Sequence, residues 1–456
     1  MITKIIDRQR DFFLKGGTLN IKFRLMNLKK LRNLILSNYD NIIEAFMKEF
    51  NKCEFDVVST EISMVISEID FFIKNLKKLV KIKKVKSNFI NTPSKGYIMP
   101  EPYGVCLIMS PWNYPFQLSM LPLVGAIASG NTVILKPSNY SPNVSLAIEN
   151  ILSNLDKRLI CTVLGGREVN QSLLDHKFDY IFFTGSVSVG KLVMEKASRN
   201  LTPVTLELGG KSPCIVDENC DLETSCKRIV WGKYLNAGQT CVAPDYILVH
   251  KNIHDDFVGK VIEYIESFYY NNNRLSKDFP EIINQKHLDR LNNLILKNNV
   301  VFGGNTKGKT LEPTVLDNVS FGDKIMKEEI FGPIMPIIEY ENIDNVIFDL
   351  KRMNKPLALY IFSNNKKVIN KVLKNISSGG ACINDVIMHL TNDKLPFGGV
   401  GTSGMGSYHG QKSFDTFTHY KSIFEKPKTE FKVKYPPYNE KKLKTIKKLM
   451  KVNEVK

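Results

Sequence analysis

Cys241 stands in the stretch Leu235-Asn-Ala-Gly-Gln-Thr-Cys-Val-Ala-Pro-Asp-Tyr246, between Gly238 and Pro244. Both flanking residues break regular structure, so the thiol is expected on a loop. A loop can present a nucleophilic sulfur together with its own backbone N–H. A buried, inert cysteine is the competing reading of the loop alone. Three distant segments supply groups such a thiol would need. Thr205-Leu-Glu207-Leu-Gly-Gly-Lys-Ser-Pro213 puts a carboxylate at the end of an apolar alternation. Pro111-Trp-Asn113-Tyr-Pro115 holds an amide between prolines, and Glu328-Glu329-Ile-Phe-Gly-Pro333 places a second carboxylate before an aromatic. A thiol, a proton acceptor and an amide donor are the parts of acyl chemistry on cysteine.

Together these four segments resemble the aldehyde dehydrogenase superfamily. The endings Val242-Ala-Pro-Asp-Tyr246 and Pro396-Phe-Gly-Gly-Val-Gly-Thr-Ser-Gly-Met-Gly-Ser-Tyr-His-Gly410 are most similar to its class 3, or fatty aldehyde dehydrogenase, branch. The resemblance runs from about Gln9 to Phe424. It implies that Cys241 attacks an aldehyde, that Asn113 and the Cys241 backbone N–H stabilise the oxyanion, and that Glu207 is the base. It implies NAD or NADP as cofactor, medium- or long-chain aliphatic or aromatic aldehydes as substrates, and a homodimer. A cysteine-dependent esterase or thioesterase without hydride transfer, or a non-enzymatic binding protein on the same fold, are the alternatives.

The cofactor must be held by the elements around these segments. Phe183-Thr-Gly185-Ser186-Val-Ser-Val-Gly190 follows a strand and opens a helix, where glycines admit a phosphate to backbone N–H groups. The resemblance implies this turn meets the cofactor pyrophosphate. It also implies that Lys136, in Leu135-Lys-Pro-Ser138, binds the adenine ribose, and that Glu329 and Phe331 hold the nicotinamide ribose. Three residues after Lys136 the family often carries Glu; here Asn139 removes a charge that would repel a 2′-phosphate. Gly303-Gly-Asn-Thr-Lys-Gly-Lys-Thr310 satisfies the Walker A expression, yet Leu311-Glu-Pro-Thr-Val-Leu316 follows where a helix is required. A hairpin loop is the expectation.

Charge-free strand–helix alternation from Gly104 to Leu135, continued to Phe183, predicts a Rossmann-like, doubly wound parallel sheet. A second α/β unit follows from Lys211. The expected organisation is α/β throughout: residues 1–80 and 101–208 bind NAD(P), and residues 209–405 form the catalytic domain. Residues 81–100 and 406–425 form a small β oligomerisation arm, and residues 426–456 a basic tail.

At 456 residues and 43% hydrophobic, the chain exceeds one comfortable core. Its net charge of +17 reads as lysine spread over solvated faces rather than a nucleic-acid surface, since no Arg-rich, aromatic-interleaved patch occurs. None of the 8 cysteines forms a Cys-x-x-Cys pair and no metal site is expected. A reducing cytoplasm is the simplest compartment. Lys441 to Lys456 is basic, with Leu443, Ile446, Leu449 and Met450 near one helical face. Peripheral membrane contact through this tail is therefore an expectation. His389 and His409 read as loop histidines near the substrate entrance.

Overall fold

The computed structural model describes residues 1–88, 91–295, 299–428 and 432–452. Uninterrupted apolar runs such as Val105–Met109 can be buried on both faces only if helices cover both sides of their sheet. Every residue of that strand is buried. Its sheet runs, in spatial order, Gly404–Met405, Val204–Leu208, Tyr180–Gly185, Val105–Met109, Thr132–Lys136 and Ile160–Thr162. All neighbours are parallel except Gly404–Met405, which pairs antiparallel with Val204–Leu208. The chain winds outward from Val105–Met109 to Ile160–Thr162, then returns to the other side of the starting strand. That reversal opens a crevice between the ends of Val105–Met109 and Tyr180–Gly185, where open α/β sheets take their ligands.

The helix Gln117–Ser129 follows the first of these strands and is buried along its whole length, Pro122 included. An N-terminal helical layer packs over it, built from Ile21–Ser37, Tyr39–Phe50 and Ser63–Leu79. A π-helical turn, Val58–Ile62, leads into the last of these helices.

The second sheet has the order Val300–Phe302, Thr314–Leu316, Ile334–Tyr340, Tyr246–His250, Pro213–Val216, Ala358–Phe362 and Gly380–Ile383. It is parallel apart from Val300–Phe302. A third, antiparallel sheet joins Lys83–Val85, Lys95–Pro102 and Thr418–Glu425. Its first strand, Lys83–Val85, is exposed at every residue. The Walker-like stretch is a hairpin, with Thr306–Lys307 paired to Thr310–Leu311 and Gly308 at φ +60°.

Candidate active site

The helix Leu222–Tyr234 ends in a tight turn, Leu235–Gly238, in which Asn236, Ala237 and Gly238 have φ of +53°, +52° and +70°. Left-handed backbone costs a residue with a side chain about 1–2 kcal/mol, so neighbouring contacts must hold Asn236 and Ala237 in place. At Gly238 a Cβ would lie 2.3 Å from the Gly332 carbonyl oxygen, so only glycine fits. The Asn236 amide donates to the carbonyls of Asn113 (2.9 Å) and Gln239 (3.3 Å). Gln239 donates to the carbonyls of Asn236 and Glu281 and accepts from the Ile283 N–H. Asn113 Nδ2 donates to the Gln239 carbonyl at 3.0 Å, and the Tyr114 hydroxyl meets Thr240 Oγ1 at 2.7 Å. The loop bearing Asn113 and the loop bearing Cys241 are thus tied together side by side.

Cys241 is half-buried at the junction of two cavities. One, of about 350 Å³, is mainly apolar, with Leu118, Trp231, Val242, Met388 and Phe397 in its wall. The other, of about 470 Å³, opens on the crevice of the first sheet and is lined by Asn113, Gly185, Ser186, Glu207, Glu329 and Phe331. Cys241, Leu118, Phe397 and Tyr408 belong to both.

Two residues expected beside these are outside that wall. Gly190 packs the helix Val187–Ser198 onto the strand Val204–Leu208, since a Cβ there would meet Leu208 Cδ2 at 2.6 Å. Lys136, at the end of its strand, is buried and donates to the Pro137 carbonyl at 2.7 Å. Trp112, His287 and Arg290 line the second cavity and carried no assignment from sequence. The Trp112 and Phe331 rings stand edge to face at 5.4 Å. Trp112 was legible within its Pro-rich motif. His287 and Arg290 lie in the helix Gln285–Asn292, where only an i, i+3 spacing marks them.

Burial dominates the electrostatics. It pushes the Cys241 thiol up to about 12, with further upward pressure from Glu329 and Glu207. Glu207 is buried, neither carboxylate oxygen has a hydrogen-bond partner, and burial lifts it well above the usual carboxylate range. Glu329 is raised to about 8 by burial and then by Asp245. Glu329 lies so close over Gly209 that a Cβ there would fall 2.0 Å from its Oε2. Desolvation lowers Lys136 to about 8. The resting thiol is protonated, and its nearest candidate acceptors hold their protons more tightly than ordinary carboxylates.

The aldehyde dehydrogenase family model matches residues 2–423. The chain is 47% identical over 435 residues to 4,4′-diaponeurosporen-aldehyde dehydrogenase of Staphylococcus aureus (strain NCTC 8325 / PS 47), covering 94% of this chain and 95% of that protein. It is 44% identical over 442 residues to the Mus musculus protein named aldehyde dehydrogenase, dimeric NADP-preferring, covering 96% of this chain and 98% of that protein. The solved structure of the substrate-bound state of Staphylococcus aureus AldH superposes with a TM-score of 0.96 at 45% identity, covering 99% of both chains.

Proposed function

Because the chain belongs to the aldehyde dehydrogenase family, and so oxidises aldehydes with NAD or NADP, we propose that Cys241 is its nucleophile, Glu207 its base and Asn113 its oxyanion donor. One observation carries this reading. The Cys241 thiol stands where an apolar cavity meets a second cavity that also contains Asn113 and Glu207.

The aldehyde enters from the apolar side. A C–S bond forms as the thiol proton passes to Glu207, directly or through a water. A carboxylate raised by burial is a better match for a thiol near 12 than an ordinary one. The thiohemiacetal oxyanion is met by Asn113 Nδ2 and the Cys241 N–H, and loss of one such donor costs about 2.7–4 kcal/mol. A nicotinamide held beside Glu329 and Phe331 would supply the acceptor for the hydride that the substrate carbon gives up, which leaves a thioester on Cys241. Glu207, having given that first proton up to solvent, takes a proton from water as the water attacks the thioester; the C–S bond breaks, the proton returns to the Cys241 sulfur and the carboxylic acid leaves.

The residues present fit a dinucleotide. Lys136 is a buried ammonium with no ion pair among the described residues, suited to a ribose or phosphate. Gly185 ends its strand and Ser186 caps the helix Val187–Ser198, whose N-terminus favours an anion. Gly190 lets that helix lie close to the sheet. Glu329 and Phe331 face the same cavity and would hold the nicotinamide ribose. Asn139 brings no negative charge beside Lys136, so NADP is accepted as well as NAD. A ratio of kcat/KM that showed strict NAD selectivity would contradict this.

The apolar cavity suits medium- or long-chain aliphatic or aromatic aldehydes. Sheet membership supports strands within residues 101–208 as the NAD(P)-binding domain and those within 209–383 as the catalytic domain. The domains are proposed as 1–80 with 101–208 and as 209–405, although Gly404–Met405 pairs with the first sheet. The pairing of Lys95–Pro102 with Thr418–Glu425 supports a bridging arm from residues 81–100 and 406–425. A homodimer is supported by the relative named dimeric. All eight cysteines are free, which suits a reducing cytoplasm. Among the described residues no helix is long and apolar enough to cross a membrane. The tail helix Glu440–Leu449 exposes Leu443, Ile446 and Leu449 among lysines, which supports peripheral contact with an anionic membrane. An aldehyde panel read by absorbance of the reduced cofactor tests the function, and Cys241→Ser must abolish the signal. Near-normal turnover by that variant contradicts the assignment.

A further inference from the structure

Behind the two tied loops lies a charged pair with no part in the chemistry above. Lys52 and Glu61 are fully buried, with the ammonium 3.5 Å from the carboxylate. A buried pair of this kind seldom gives more net stability than well-packed apolar side chains of similar volume. Its partners point to a different use. The Lys52 ammonium donates to Thr60 Oγ1 at 3.0 Å and sits 4.5 Å from the centre of the Tyr114 ring. Glu61 Oε2 accepts the Gln117 N–H at 2.8 Å, where the helix Gln117–Ser129 begins. The pair therefore grips both ends of the short segment that follows Asn113. From that segment the Tyr114 hydroxyl reaches Thr240, the residue before Cys241.

Glu61 lies in the π turn, and π turns recur at functional sites. Seven residues on, the buried Glu68 accepts the Gly410 N–H at 2.9 Å and the Ser413 hydroxyl at 2.6 Å. Those residues follow Tyr408, which lines both cavities. One face of the N-terminal layer thus carries two buried carboxylates, each clamping a segment of the site's wall.

We propose that Lys52 and Glu61 are positioning residues for aldehyde oxidation, holding the Asn113–Tyr114 segment against the Cys241 loop so that the Asn113 amide meets the oxyanion. The inference rests on the role assigned to Asn113 above. A cation over the Tyr114 ring and a carboxylate on the Gln117 N–H fix the segment at two points without touching the substrate. Pre-set donors act only when held within a fraction of an ångström of the developing charge.

The test is a double-mutant cycle. Lys52→Met and Glu61→Gln are made alone and with Asn113→Ala. Steady-state kinetics, thermal unfolding and NADP affinity are measured for each. The account expects each single variant to fold, to bind NADP with unchanged affinity, and to lose kcat on the order of tenfold with KM little changed. On the Asn113→Ala background the same substitution costs nothing further. A full, multiplicative loss on that background overturns the proposal while leaving the Asn113 assignment intact. Wild-type kcat in Asn113→Ala alone removes the assignment and the proposal with it. If Lys52→Met does not fold, Tyr114→Phe, which cuts only the link to Thr240, goes through the same cycle, and additivity there is equally fatal.

Discussion

At the residue scale the proposed chemistry turns on how strongly burial acts on Cys241 and Glu207. Glu207 must be ionised to accept a proton, and burial holds its proton to a pH above the usual carboxylate range. Activity is therefore lost on acidification at a higher pH than an exposed glutamate would give. Measuring kcat/KM against pH checks this, and a limb at the ordinary carboxylate position contradicts it. Lys136 gives the opposite sign. Its ammonium is lowered to about 8, so NADP affinity should fall as pH rises through that value, more steeply than NAD affinity. Parallel titrations of both cofactors decide the point. Taken alone, each sequence motif is weak and Glu329 would read as a surface carboxylate; Cys241, Glu207, Asn113, Glu329 and Phe331 could be singled out because their motifs in combination resemble a known family. Arg290 could not, because its guanidinium reaches the Ile330 carbonyl from a separate helix (2.6 Å) and only folding brings the two together.

At the scale of elements, the nucleophile turn shows what local sequence can specify. Gly238 and Pro244 mark a loop, but the left-handed Asn236 is held by a distant partner, the Asn113 carbonyl, and by Gln239 within the turn. Gly238→Ala should destabilise the protein by more than about 1 kcal/mol, because the new Cβ meets the Gly332 oxygen in a backbone region that L residues disfavour. Thermal unfolding measures the loss, and an unchanged midpoint would mean that the turn relaxes freely. Buried parallel strands were legible as apolar runs with ends displaced by a residue or two. The strand Lys83–Val85 was not, because an exposed edge strand of lysine and valine carries no apolar alternation. The π turn leaves no periodic trace in so short a run, so the Lys52–Glu61 contact was invisible as well.

For the whole molecule, two cavities meet at one sulfur, and the proposed membrane contact rests on the basic tail alone. Truncation after Phe424 should leave aldehyde oxidation intact and reduce co-sedimentation with anionic liposomes; unchanged sedimentation rejects membrane contact by the tail. The division into two α/β units was readable because strand–helix alternation repeats. The convergence of Cys241, Glu207 and Asn113 on one cavity was not, since the segments carrying them belong to different elements that only the packed sheets bring together. The most direct measurement is the mass of the Cys241-bearing peptide after Glu207→Gln is mixed with an aldehyde and NAD. A stall at or before deacylation predicts no sustained turnover, at most one equivalent of reduced cofactor, and an acyl group on Cys241 in matching amount. Reduced cofactor formed with Cys241 unmodified, or an acyl group on another residue, would contradict the account.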